Sequence, residues 1–154
     1  MPTPASLALT ALHIPHREFT HAGEVTSLEQ AARERGQTPE QVIRSLLFRV
    51  TEGEYVLALV AGPGQISWPA LRQHLGQSRL TMAKPEEVLA VTGFAIGAVG
   101  PFGVRTPLRV LVDQGVLAQE EVSIGSGVRG TTIFIRVEDL LAALGETAEA
   151  ANLL

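Results

Sequence analysis

Apolar positions follow two rhythms along the chain. Ala5–Leu12 carries them at helical spacing, which predicts a short N-terminal helix, and Arg17–Thr20 reads as a short extended piece. Ser27 followed by Gln30 has the form of a capping box, and Gly36 supplies a C-terminal stop, so a helix is expected between them. Thr38-Pro39-Glu40 opens one more helical turn. Val42–Val50 and Tyr55–Ala61 are apolar runs joined by the turn residues Thr51–Glu54, the signature of a hairpin. After the break at Gly62-Pro63-Gly64, Ser67 and Pro69 start a helix that Gly76 closes. Arg79–Met82 is extended, and Pro85–Val91 is helical up to Gly93. Phe94–Pro107 is a Gly/Pro-rich loop. Leu108–Asp113, Val122–Ile124 and Thr131–Arg136 read as strands, and Val137–Leu144 as the last helix, closed by Gly145. Glu146–Leu154 reads as a frayed or weakly helical tail.

Strands and helices alternate without a regular βαβ period, and no linker interrupts the chain. The expected fold is α+β: one compact domain over 1–154, with a mixed or antiparallel sheet and flanking helices. The 154 residues suffice for a core without covalent staples. Cysteine is absent, which excludes disulfides, thiolate nucleophiles and cysteine zinc sites. The net charge of −4 argues against a protein that coats duplex DNA. The longest uncharged runs, Tyr55–Leu71 and Val88–Val104, are interrupted by glycine and proline, so no membrane span is expected. A cytoplasmic protein is the expectation.

Gly125-Ser126-Gly127-Val128-Arg129-Gly130 matches G-x-G-x-x-G, but the β-like Thr131–Arg136 follows where a dinucleotide site needs a helix. NAD binding is therefore not expected. The segment is either a wide turn or a backbone-lined cradle for an anionic or carbonyl group. Gly97-Ala98-Val99-Gly100-Pro101-Phe102-Gly103 is a second such loop, either a plain connection or a set of backbone N–H donors for an oxyanion. Arg44 shares the strand parity of Val42, Leu46, Phe48 and Val50, so its guanidinium points towards the core or a pocket mouth, unless it precedes the strand and is solvated. His21 is either a pocket residue or a surface one. Asp113 reads as a turn residue rather than a general base. His13, His16, His21 and His74 offer no metal-ligand spacing and no serine sits in G-x-S-x-G, so neither a metal site nor a hydrolase triad is expected.

In this order the features resemble the YbaK/prolyl-tRNA synthetase-associated domain family across roughly His16–Gly145. The likeness rests on the Ser27–Gly36 helix, the Gln41–Val50 segment and the Val56–Gly62 strand. It continues through Leu80–Ala83 with Pro85–Val88, Thr92-Gly93 and the G-x-x-x-P loop at Gly97–Pro101. It ends with Val110–Asp113, Val122–Gly130 and Glu138–Leu140. Arg44 and Ser45 stand where the family carries a lysine, often followed by threonine. Phe19 stands for a tyrosine of some members, and Gly125 and Thr132 for a serine and an aspartate.

The resemblance implies a barrel-like YbaK-type fold and an aminoacyl-tRNA deacylase that hydrolyses the ester of a mischarged tRNA. It implies no metal, no cofactor and no covalent nucleophile. Arg44, Gly97 and Pro101 are then the catalytic positions. Phe19, His21, Ser45, Phe102, Gly103, Gly125, Ser126, Gly127 and Thr132 are the substrate-binding ones. The implied partner is the 3′ end of a mischarged tRNA, with an aminoacyl-tRNA synthetase as a second. A catalytically inactive tRNA- or nucleotide-binding module of the same fold is the alternative, and an unrelated small-ligand binder a third reading.

Overall fold

The computed structural model describes residues 2–154. In chain order the elements are α1 (Pro4–Ala11), β1 (Arg17–Thr20), α2 (Leu28–Arg35), a 3-10 turn (Pro39–Gln41), β2 (Ile43–Thr51) and β3 (Glu54–Ala61). Then come α3 (Trp68–Leu75), β4 (Thr81–Met82), α4 (Pro85–Thr92), β5 (Arg109–Asp113) and α5 (Gln114–Leu117). The chain ends with β6 (Glu121–Gly125), β7 (Thr131–Arg136), α6 (Val137–Leu144), a 3-10 turn (Gly145–Thr147) and β8 (Ala148–Ala151).

Local chemistry sets most boundaries. Ser27 accepts the Gln30 N–H at 3.0 Å and Gly36 takes a left-handed φ of 69°, so α2 is stopped at both ends as its sequence predicts. The reciprocal half of the box is displaced by one residue: the Gln30 amide oxygen accepts the N–H of Thr26, not of Ser27. Ser67 and Gly76 bracket α3 in the same manner.

The strands form two sheets, ordered β1-β7-β6 and β4-β2-β3-β5-β8. The first is antiparallel; the second is mixed, with β3, β5 and β8 running parallel. The sheets do not close into a barrel, which corrects the barrel-like expectation. An isolated bridge, Val42–Ser123, joins them, whereas closure needs a continuous register around the ring.

β3 lies inside the larger sheet and is apolar along Val56–Ala61 because both its faces are covered. Leu57, Leu59 and Ala61 join a cluster with Ile133, Ile135 and Leu140 between the sheets. Val56, Ala58 and Val60 join one with Phe48, Leu71 and Leu153 beneath α3.

The C-terminal segment differs from the frayed tail expected for 146–154. Residues 148–151 form β8 along the open edge of β5, with Ala151 opposite Asp113, and Leu153 is fully buried. The segment is too short to show a period, and its order comes from the strand edge it covers. Asp113 does more than turn the chain. Its carboxylate caps α5 through the Gly115 N–H at 2.9 Å and accepts the Leu153 N–H at 2.7 Å. Asp113→Ala orphans two backbone donors in a buried place and is expected to cost about 3 kcal/mol. A chemical-denaturation midpoint equal to that of the unmodified protein would show that the tail is held by other contacts. Among the described residues no helix is long and apolar enough to cross a membrane.

Candidate functional site

A cleft of about 1000 Å³ runs along the outer edge of β2. It is ringed by α2, the start of α4, the 96–99 loop and the β6–β7 connection. The edge is open for a specific reason. The Gly62 N–H donates to the Val42 carbonyl, so Val42, Arg44, Leu46 and Phe48 exchange hydrogen bonds with β3 while Ile43, Ser45 and Leu47 turn their backbone groups outward. On that outer side the Leu47 carbonyl accepts the Ala83 N–H at 2.9 Å. Continuing the register brings Pro85 opposite Ser45, and proline has no N–H and starts a helix. Pairing stops, and the edge of β2 at Ser45 faces the cleft. The Ser45 hydroxyl is buried with no hydrogen-bond partner.

The two glycine-rich loops meet at this cleft. A Cβ placed on Gly125 would lie 1.9 Å from the Val99 carbonyl oxygen, and one on Gly100 would lie 2.0 Å from the Gly125 oxygen. Gly127 N–H donates to the Ala98 carbonyl at 2.8 Å. The Arg129 guanidinium clamps the Ile96 carbonyl at 2.8 and 3.2 Å. Within the 96–99 stretch the Ala98 N–H is spent on the Ala95 carbonyl. The N–H groups of Gly97 and Val99 have no acceptor among the described residues, and both residues line the cleft. Gly97 has a φ of 92°, a conformation that favours glycine.

His21, Arg44, Ser45, Gly97, Gly125 and Thr132 are brought together as lining residues. The other expected positions lie elsewhere. Phe19 stands behind His21, ring centroids 5.1 Å apart and edge-on. Phe102 belongs to the core between the sheets, and Pro101 is buried beside it. A Cβ on Gly103 would meet the Pro4 carbonyl of α1, and one on Gly127 the Phe94 ring, so these glycines serve packing. The Ser126 hydroxyl is fully buried and closes its own loop against Val128 and Thr131. Thr132 donates its hydroxyl to the Ile124 carbonyl at 2.8 Å. No serine fits at 125 while the loops stay in contact, so this chain keeps glycine there for space.

The guanidinium of Arg44 is half-buried and points along the face that carries Leu46 and Phe48, as its parity predicts. It donates to the carbonyls of Gly62 and Gly64, holding the turn before α3. Burial lowers its pKa.

A polar network that sequence reasoning missed borders the cleft. The Arg35 Nε–H donates to His21 Nε2 at 3.1 Å, so His21 carries its proton on Nδ1 and donates it to Glu34 at 2.7 Å. Arg35 also donates to the Ser123 hydroxyl at 2.9 Å, which donates to the Gln37 side-chain oxygen at 2.7 Å. Hydrogen bonds from Gln30, then His21, hold the Glu34 carboxyl below its ordinary pKa, and burial lowers that of Arg35. The signal was present in the spacing: Leu28, Ala31 and Arg35 lie three and four residues apart on one face of α2, and all line the cleft. Arg129, inside the glycine loop, was the other omission.

Arg35, Arg44 and Arg129 all line the cleft, and none has a carboxylate within 4.0 Å among the described residues, whereas Arg17, Arg49, Arg109 and Arg136 do. Glu24 is the one carboxylate in the lining against these three arginines, so the cleft is net positive and suits an anionic ligand.

A family model described as an aminoacyl-tRNA editing domain matches residues 22–143. The chain is 31% identical over 121 residues to the proline–tRNA ligase of Thermosipho melanesiensis, covering 79% of this chain and 21% of that protein. It is 34% identical over 113 residues to the ligase of Kosmotoga olearia, covering 73% and 19%. The chain thus spans about a fifth of the length of these relatives. A crystal structure described as a candidate trans-editing enzyme for prolyl-tRNA synthetase superimposes with a TM-score of 0.87 at 31% identity, covering 97% of this chain and 94% of that one.

Proposed function

The chain belongs to the aminoacyl-tRNA editing domain family, and from that premise we propose that it hydrolyses the ester joining a wrong amino acid to the 3′-terminal ribose of a tRNA. Water adds to the ester carbonyl, the carbonyl oxygen becomes a tetrahedral oxyanion, and the C–O bond to the ribose breaks as that oxygen takes a proton. The products are the free amino acid and the uncharged tRNA.

The observation that carries this reading is the free backbone N–H of Gly97, with that of Val99 beside it, on the wall of the cationic cleft. Donors fixed by the fold stabilise charge as it develops and need no reorganisation. Pro101 stiffens the loop that presents them. The Ser45 edge offers a backbone carbonyl to the α-ammonium group of the aminoacyl moiety. The cationic wall suits the phosphates of the acceptor end, and the synthetase whose mistakes are removed is the second partner. A separate hydrolytic site is useful because a small apolar pocket separates similar amino acids by only about 1–3 kcal/mol.

The inactive-module reading has one observation in its favour: Arg44, at the family's lysine position, has Nε and one NH2 group engaged by backbone carbonyls. A panel of mischarged tRNAs decides between the two. We expect release of one or a few amino acids, and no release across the panel would favour the binding module. Among the described residues no three His, Asp or Glu side chains gather as metal ligands. Turnover is accordingly expected to survive EDTA; loss in EDTA with recovery on adding Zn²⁺ or Mg²⁺ would contradict the water-and-backbone mechanism.

A further inference from the structure

We propose that Arg35 is a phosphate-binding residue of the cleft, its guanidinium set by His21 and Ser123 to receive a phosphodiester of the RNA acceptor end. The inference rests on the reading of the cleft as an editing site. Arg35 spends Nε on His21 and one terminal nitrogen on Ser123, and its NH2 nitrogen has no partner among the described residues. Neither partner is a carboxylate. Glu34, the preceding residue, makes no ion pair with the guanidinium within 4.0 Å and is engaged by His21 and Gln30, although its charge favours the charged form of Arg35. A half-buried guanidinium with no carboxylate in direct contact among the described residues carries a desolvation cost that an incoming anion offsets.

The other two cleft arginines are committed differently. Arg44 holds the carbonyls of Gly62 and Gly64, and the exposed Arg129 holds that of Ile96. Each of the three keeps one terminal nitrogen without a partner among the described residues, but Arg35 alone of them is held by side chains, His21 and Ser123, rather than by backbone carbonyls. Ser123 is itself anchored by Gln37, and His21 by Glu34 and the edge of Phe19. The side-chain ordering is therefore met on folding rather than on binding, which favours affinity. The anion follows from the substrate's chemistry: the amino acid's α-carboxyl group is consumed in the ester, so the negative charges common to every such substrate are phosphodiesters. A planar fork suits their paired oxygens.

The test uses the full-length protein and the trinucleotide cytidylyl-cytidylyl-adenosine, with natural linkages or with both replaced by neutral methylphosphonates, titrated by NMR. The wild type should bind the natural form about tenfold more tightly, as expected for one charge-assisted contact. Arg35→Leu should bind both forms alike, at the affinity the wild type shows for the neutral one. Arg35→Lys should recover part of the preference. The slope of log affinity against log salt should fall by ~0.7 in Arg35→Leu, the value for one phosphate of a single strand. A preference that persists in Arg35→Leu, or an equal weakening of both forms, would overturn the assignment, the latter making Arg35 a structural residue. Failure of the wild type to bind the natural trinucleotide would overturn it too. If the wild type prefers the natural form, loses that preference in Arg35→Leu and yet hydrolyses no mischarged tRNA, the editing reading fails and the phosphate site stands.

Discussion

Gly125→Ala is expected to lower stability by about 3 kcal/mol or more and to abolish most hydrolysis in the fraction that folds. Gly125 is in β6 and its φ is not positive, so backbone freedom is not the reason for glycine there. The reason is distance. The added methyl would stand 1.9 Å from the Val99 oxygen and 2.5 Å from its carbonyl carbon, and the atoms in the way are backbone, not a flexible side-chain end. The loops must separate by more than an ångström, and displacements of that size at a reacting centre cost on the order of a hundredfold in rate. Gly100→Ala should behave alike, since its Cβ would strike Gly125 from the other side. Gly130→Ala, in the same connection, is the control. Its Cβ would meet nothing within 4 Å, so only the strain of its φ of 83° remains, about 1–2 kcal/mol. Denaturation midpoints of the three variants, with deacylation normalised to folded protein, give the comparison. Equal midpoints for Gly125→Ala and Gly130→Ala would mean that the loops are not in contact.

Gly97→Ala separates chemistry from packing. The nearest atom to its Cβ would be the Arg129 Nε at 3.7 Å, an ordinary contact, so space is available. What alanine resists is the φ of 92°, at about 1–2 kcal/mol. The variant should fold with a modestly lower thermal midpoint. If the backbone relaxes to a negative φ, the N–H turns away from the ester carbonyl. Losing one preorganised donor of this type costs roughly a hundredfold or more in hydrolysis rate. Normal folding with wild-type hydrolysis would make the loop a mere connection. A fall in KM-dependent binding with kcat unchanged would assign it to substrate grip rather than to the oxyanion.

Much of the fold was readable from local signals. Ser27, Gly36, Ser67, Gly76 and Gly93 bound helices through caps and positive φ, which depend on a few neighbouring residues. The β2–β3 hairpin followed from alternation and turn chemistry. The tail and α5 did not show. α5 is four residues long, and β8 owes its order to the edge of β5. Within the candidate site, the parity of Arg44 and the backbone character of both glycine loops were legible. The uses of Arg44, Phe102, Gly103 and Ser126 were not, because each depends on a neighbour distant in the chain.

From the chain alone came the α+β class, the family likeness and the absence of cysteine, since composition, period and motif order need no contact map. Folding decided which parts of those motifs face the cleft. Gly97 and Val99 are left with N–H groups that have no acceptor among the described residues because Ala98 takes the local acceptor and Gly125 packs against the same turn. Ser45 faces the cleft because Pro85 ends the outer pairing of β2. Arg35 faces it because α2 lays Leu28, Ala31 and Arg35 along the rim, beside a histidine fixed by two hydrogen bonds. Each outcome depends on which hydrogen-bonding groups remain after distant segments have met, and that remainder is a property of contacts rather than of local sequence.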